Sequence, residues 1–173
     1  KHDNLIGYVI RVDLDDGKKM TPQVFWTLNT QTGEEHWSHF PHPTPRPLYL
    51  LPDVYTHPDR QVLIVEGEKS ADAAKRIFGD KLVCVSWMGG AQAVSKTYWK
   101  SLSGRSCILW PDFDDVGRMA AFAVSEGLNA VGAKIKQIDI TAGDIPEGHD
   151  QKGWDIADAE CMGKDWISDL IRK

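Results

Sequence analysis

Apolar positions follow two rhythms along this chain. Up to Phe40 they come in short stretches rich in β-branched and aromatic residues: Leu5-Ile6-Gly7-Tyr8-Val9-Ile10-Arg11-Val12, Gln23-Val24-Phe25-Trp26-Thr27-Leu28 and Glu35-His36-Trp37-Ser38-His39-Phe40. Asp15-Asp16-Gly17-Lys18 and Asn29-Thr30-Gln31-Thr32-Gly33 supply turn residues between them, so the pattern predicts a small antiparallel sheet. Trp26 and Trp37 are expected to pair in the core of that sheet rather than to form a stacking platform. From Gln61 onward the runs become short and continuous: Val62-Leu63-Ile64-Val65, Leu82-Val83-Cys84-Val85-Ser86, Ser106-Cys107-Ile108-Leu109-Trp110 and 134–140. Continuous apolar strands are those buried on both faces. Helical spacing separates them at 68–78, 91–102 and 116–130, and shorter helices are predicted at 154–161 and 164–172. Strands alternating with helices imply a parallel sheet with right-handed crossovers.

Between the two rhythms, Pro41 to Pro58 holds six of the nine prolines. Proline removes a backbone donor and fixes φ, so this stretch is expected to be an extended connector rather than helix. The predicted organisation is therefore a small antiparallel β subdomain with its connector over 1–58, and an α/β domain over 59–173.

At 173 residues with 42% hydrophobic and 26% charged positions, the chain can bury a substantial core. No run is long enough to cross a bilayer and no signal-peptide pattern opens the chain, so no membrane partner is expected. Cys84, Cys107 and Cys161 are widely spaced and odd in number, which argues against a disulfide framework or a cysteine zinc ribbon and fits a reducing, cytoplasmic setting. His36, His39 and His42 lie three apart, but strand geometry followed by prolines does not hold three such ligands on one face. The chain opens on Lys1 rather than Met, as expected of a piece of a longer protein.

The net charge of −5 hides an asymmetry. Lys69 to Arg105 carries seven basic and two acidic residues, whereas Ser106 to Lys173 carries seven basic and thirteen acidic ones. Acids beside bases suit a site that handles metal ions and phosphates, although solvated helix faces have the same composition.

The acids fall at particular places. In an open parallel α/β sheet, ligands bind at the carboxyl ends of the strands. Glu66 follows the first α/β strand directly, Asp112 and Asp114 follow the third, and Asp155 and Asp158 follow the fourth after a glycine-containing loop. Asp-x-Asp at a strand end can share a divalent ion, and hard oxygens suit Mg²⁺ or Mn²⁺. Asp115 reads as the cap of the next helix and Glu68 as a favourable charge in the first turn after Gly67. Lys69 can steady a phosphate or pair with a neighbouring acid. Trp87 and Met88, just before Gly89-Gly90, read as packing more readily than as base contacts.

Val65-Glu66-Gly67-Glu68-Lys69-Ser70-Ala71-Asp72-Ala73-Ala74, followed by Trp110-Pro111-Asp112-Phe113-Asp114-Asp115-Val116-Gly117-Arg118, resembles the Toprim (topoisomerase–primase) domain. Gly117-Arg118 resembles the branch of bacterial-type (DnaG-like) primases and phage or plasmid primase–helicases. Gly153-Trp154-Asp155-Ile156-Ala157-Asp158-Ala159 is similar to the third acidic region of the phage type, and Arg46-Pro47-Leu48-Tyr49 to the segment entering the domain. The resemblance implies a Toprim-like, Rossmann-type α/β fold: a central four-stranded, mostly parallel sheet flanked by helices, after a small antiparallel β subdomain. It implies Glu66, Asp112 and Asp114 as catalytic metal ligands, with Asp155 or Asp158 as the third acidic position. It also implies Mg²⁺ or Mn²⁺ as cofactor and Arg118 as the basic residue after the glycine. Many primases place an aspartate four residues after the first glutamate; here that position is Ser70, with Asp72 two further on.

The implied activity is synthesis of short RNA primers on single-stranded DNA from ribonucleoside triphosphates, in partnership with a replicative helicase domain or protein. Lys69, Lys96, Lys100, Arg105 and Arg118 are the candidates for nucleotide or DNA phosphates. Two other readings stay open: a Toprim-type metal-dependent nuclease, and a non-catalytic nucleic-acid or nucleotide-binding module of a larger replication protein.

Overall fold

The computed structural model describes residues 7–17, 19–40 and 42–172. The chain forms two compact units, Lys1–Pro43 and Thr44–Lys173.

In the first unit, β1 (Gly7–Val9), β4 (Gln23–Leu28) and β5 (Glu35–Ser38) make an antiparallel sheet in the order β1-β4-β5, while β2 (Val12–Asp13) and β3 (Lys19–Met20) pair as a separate ribbon. The strand expected over 5–12 thus breaks after Val9; Leu5, Ile6 and the turn residue Lys18 lie outside the described residues. Trp26 and Trp37 do sit opposite one another, ring centroids 5.3 Å apart and edge to face. They are not core: they are 47% and 43% exposed, and Tyr8, 51% exposed, packs on Trp37 at 5.2 Å. Alternation along β4 explains the difference. Phe25 points to the other face and is the buried residue, so Trp26 must point away from it.

The second unit is built on four parallel strands in the order β7-β6-β8-β9: β6 (Val62–Glu66), β7 (Val83–Trp87), β8 (Ser106–Trp110) and β9 (Lys134–Gln137). Period-two alternation divides β6 between two cores. Val62 and Ile64 face a cluster with Val124 and Leu128 of α3 (Asp115–Ala130), Trp99, Leu102 and Val54. Leu63 and Val65 face Ala71, Ala74 and Phe78 of α2 (Glu68–Phe78), with Ile156 of α4 (Ile156–Ala159) and Ile167 and Leu170 of α5 (Lys164–Arg172). Burial of the four aliphatic side chains of β6 contributes on the order of 6–12 kcal/mol as an upper figure. The parallel sheet flanked by helices is the one that the alternation of strands and helices implies. Among the described residues no helix is long and apolar enough to cross a membrane.

The proline-rich stretch departs from expectation. Residues Leu51–Thr56 form a helix, α1, with Pro in its first turn, where a missing N–H breaks no intrahelical bond. Leu48 and Val54 are core residues of the second unit, and backbone bridges join Arg46 to Thr97 and Tyr49 to Ser86. The stretch 44–58 is therefore integral to the α/β unit. The helix expected over 91–102 is two 3-10 turns, Ala91–Lys96 and Trp99–Leu102, because Thr97 is held extended where it pairs with Arg46.

Candidate active site at the carboxyl edge of the sheet

From β6 the chain crosses to β7 on one side, then returns to place β8 on the other. The crevice between the carboxyl ends of β6 and β8 is the switch point at which such sheets bind ligands. Glu66 is the last residue of β6, and Asp112 follows two residues after Trp110, which pairs with Val65. Those two carboxylates thus occupy neighbouring strand ends on either side of the crevice.

Asp114, not Asp115, caps α3: its backbone is extended and its Oδ1 accepts the Gly117 N–H at 2.7 Å. Asp115 begins the helix and pairs with Arg118 at 2.6 Å. Gly117 has a steric reason to be glycine, since a Cβ there would lie 2.4 Å from the Asp112 carbonyl oxygen. That close approach fixes the loop bearing Asp112. The Arg118 guanidinium stands 5.8 Å from the Phe113 ring centroid.

The third acidic stretch is stitched to the second. Phe113 donates its N–H to Trp154 O at 2.9 Å, and Gly153 donates to Phe113 O at 3.1 Å. Asp155 is engaged at both oxygens: Oδ1 accepts the N–H groups of Ala157 (2.6 Å) and Asp158 (3.0 Å), and Oδ2 accepts the Ser70 hydroxyl at 2.8 Å. Asp158 returns the capping box by accepting the Asp155 N–H at 3.2 Å, and pairs loosely with Lys69 at 3.8 Å. Ser70 occupies the position where the motif comparison expected an aspartate. A hydroxyl there donates to Asp155, whereas a second carboxylate would repel it. Asp72 accepts the Tyr49 hydroxyl at 3.0 Å. Burial, then that hydrogen bond and charge, push the Tyr49 phenol up to about 12.

Glu68 is more than a charge in the first helical turn. Its Oε1 is buried without a hydrogen-bond partner, and burial raises its pKa above the usual carboxylate range. No sequence signal separates it from an ordinary solvated first-turn acid.

The basic residues separate sharply. Lys96 and Lys100 are exposed on the 3-10 turns beyond β7. Arg105 is structural. It precedes β8 at the opposite, amino edge of the sheet, and its guanidinium donates to Val54 O (2.9 Å), His57 O (2.9 Å) and Arg60 O (2.7 Å). Trp87 and Met88 are buried, and the Trp87 indole donates to Gly90 O at 2.9 Å.

Among the described residues no group of three or more His, Cys, Asp or Glu side chains is arranged to hold a metal ion. Asp155 gives Oδ1 to its cap and Oδ2 to Ser70. The donor chemistry at the crevice, hard carboxylates on two neighbouring strand ends, fits an ion that keeps several waters and is completed by substrate oxygens.

No protein-family model matches the chain, and no curated protein matches it in sequence. Solved structures do. The chain is similar to a DNA primase domain from Pseudomonas aeruginosa (TM-score 0.53, 17% identity, 94% of this chain and 56% of that one). It is also similar to the zinc-binding and RNA polymerase domains of the Aquifex aeolicus primase (0.54, 16%, 94% and 43%). The primase fragment of the bacteriophage T7 primase–helicase protein matches at TM-score 0.52 and 18% identity, over 92% of this chain and 64% of that one. The chain thus spans 43% to 64% of the length of these structures. At such identities the shared property is architecture, and the four-stranded parallel sheet with its small antiparallel companion is the fold of a primase domain.

Proposed function

We propose that the chain is the catalytic core of a DNA primase of the Toprim kind, joining ribonucleotides into short primers on single-stranded DNA. The observation that carries this reading is the placement of Glu66 and of Asp112-Phe113-Asp114 on either side of the switch-point crevice, in a fold shared with primase domains.

In this reading Glu66 and Asp112, with the Asp114 oxygen not used in capping, hold Mg²⁺ or Mn²⁺. When bound, such an ion lowers the pKa of the attacking 3′ hydroxyl and offsets charge on the leaving pyrophosphate. The protein's own part is to position. Gly117 sets the Asp112 loop. The Phe113–Trp154 bridge and the Ser70–Asp155 bond tie that loop to the chain beyond residue 150. Asp155 and Asp158 then act as positioning residues rather than ligands. A cleft of about 420 Å³, lined by Phe113, Asp114, Asp115, Val116, Arg118, Gln151 and Lys152, opens beside Asp114 and is large enough for a nucleotide. Lys69, Arg118, Lys96 and Lys100 supply exposed positive charge for template or triphosphate. A single-stranded DNA template, ribonucleoside triphosphates and a helicase partner follow from the same reading.

The absence of a three-carboxylate cluster among the described residues favours one rival, a module that binds nucleic acid or nucleotide without catalysis. A template-dependent primer assay with Mg²⁺ or Mn²⁺ separates them. Short ribonucleotide products, abolished by Glu66→Gln and by Asp112→Asn with folding intact, support the primase. Binding with no product supports the module, and shortened DNA supports a nuclease.

A further inference from the structure

A second charged feature on the same sheet edge belongs to the segment Arg46-Pro47-Leu48-Tyr49, and the reading above gives it no role. Arg46 enters the α/β unit on the proline-rich stretch. Its backbone is clamped on both sides: its N–H donates to Lys96 O at 2.6 Å, and its carbonyl accepts from Tyr98 at 2.7 Å. The main chain is therefore fixed, and the side chain reaches over the carboxyl end of β7. There it lies against Gly89, at which a Cβ would stand 2.5 Å from Arg46 Nη1 and 3.8 Å from Cζ. Gly89 and Gly90 both have positive φ, at 94° and 69°, and nothing lies within 4 Å of the Cβ direction of Gly90. Glycine adopts these positive φ values without strain, and its missing side chain leaves room for the guanidinium and the adjoining backbone.

The guanidinium is short of partners. It carries five N–H donors. Its hydrogen bond to Met88 O is long, 3.4 Å, its Nε is buried with no acceptor, and the ion pairs of the described residues do not include it. Arg105 shows what a structural arginine looks like in this molecule: three carbonyl acceptors at 2.7–2.9 Å. A half-buried cation whose Nε has no acceptor, and which forms no ion pair among the described residues, is stabilised by an arriving anion.

We propose that Arg46, seated on Gly89-Gly90 at the carboxyl end of β7, is the receptor for a phosphate group. The planar fork matches two phosphate oxygens at once, and the glycine backbone permits close approach of the ligand. Trp87, the last residue of β7, pairs with Glu66, so the receptor stands beside the candidate ion site and on the far side of Glu66 from Asp112. The phosphate is either that of a nucleoside triphosphate or that of a nucleic-acid strand. The inference takes its setting from the primase reading, but its test does not depend on catalysis.

The test is calorimetric titration of the whole chain, in metal-free buffer with chelator, with inorganic pyrophosphate, ATP and a single-stranded oligothymidylate. Arg46→Gln should weaken at least one class of probe about tenfold or more. Loss confined to pyrophosphate and ATP identifies a nucleotide phosphate, and loss confined to the oligonucleotide identifies the strand. Without ligand, Arg46→Gln should melt at or above the wild-type temperature, and the class of probe whose affinity falls should raise the melting temperature of the wild type more than that of the variant. Unchanged affinity for all three probes overturns the proposal, as does lowered thermal stability with affinity intact. If Arg46→Gln fails to fold, Arg46→Lys serves: weaker binding by the folded variant supports the receptor, and equal binding overturns it. Glu66→Gln is expected to abolish synthesis yet leave these titrations undiminished, so failure of the primase reading and failure of the receptor give different results.

Discussion

Replacing Arg105 by alanine should cost stability and leave nucleic-acid binding untouched. The arginine sits just before β8 and fastens three carbonyls: Val54 near the end of α1, and His57 and Arg60 in the turn leading to β6. Hydrogen bonds to a charged donor contribute about 1.5–3 kcal/mol each when buried. The site is half-buried, so water replaces part of what is lost, and about 1 kcal/mol per bond gives roughly 3 kcal/mol in all. For a unit of this size that corresponds to a fall of roughly 10 °C in melting temperature. Urea unfolding followed by fluorescence of the buried Trp99 and Trp110 would measure it. Arg105→Lys should recover less than half, because a single ammonium cannot span three acceptors. The slope of log affinity for single-stranded DNA against log salt should not change. An Arg105→Ala protein with unaltered urea midpoint and a shallower salt slope would refute the reasoning and return Arg105 to the DNA-binding set.

Gly117→Ala should disturb the Asp112 loop, because the new methyl would meet the Asp112 carbonyl at 2.4 Å; a destabilisation of about 1–3 kcal/mol together with loss of primer synthesis is expected, measured by urea melts and the primer assay. Asp155→Ala should lower stability by about 1–2 kcal/mol through loss of the α4 cap, while Asp155→Asn keeps an acceptor and should stay near wild type; an asparagine variant that is stable but inactive would make Asp155 a ligand after all. Glu68 has its pKa raised in the fold by burial, so the folded chain holds a proton that the unfolded chain has lost; stability is fully present below the unfolded pKa and declines as pH rises through the folded one. Glu68→Gln should flatten that decline in melts recorded across mildly acidic to neutral pH, and an unchanged slope would count against it. Burial lifts the thiols of Cys84 to about 12 and Cys107 to about 11, whereas Cys161 is exposed, so a thiol reagent at neutral pH should label Cys161 alone until denaturant is added.

What the sequence discloses depends on how local its cause is. α2 spans 68–78 and β8 spans 106–110, where their patterns place them, because each is set by its own spacing and by burial on both faces. The carboxylates at strand ends were legible for the same reason. Which of their oxygens remain for chemistry was not, since Asp114 and Asp155 each spend Oδ1 on a helix cap whose partners are defined only by the folded backbone. α1 was hidden by its prolines, because composition does not say that Pro52 stands in a first turn. Thr97 illustrates tertiary override: an otherwise helical stretch is interrupted where it pairs with Arg46, fifty-one positions earlier in the sequence. Trp26 and Trp37 show that cross-strand pairing can be read from alternation, but not which side of a lone sheet stays open to solvent.

The tie between Phe113 and Trp154, together with the bond from Ser70 to Asp155, has a consequence for biosynthesis. A polypeptide emerging from the ribosome presents all four parallel strands well before residues 153–155 are available to secure the acidic loops. Premature termination ahead of that point would leave the rim unfastened and would also remove Ile156, Ile167 and Leu170, which cover one face of the sheet. Fastening of the acidic loops therefore waits for residues that are synthesised after every strand of the sheet.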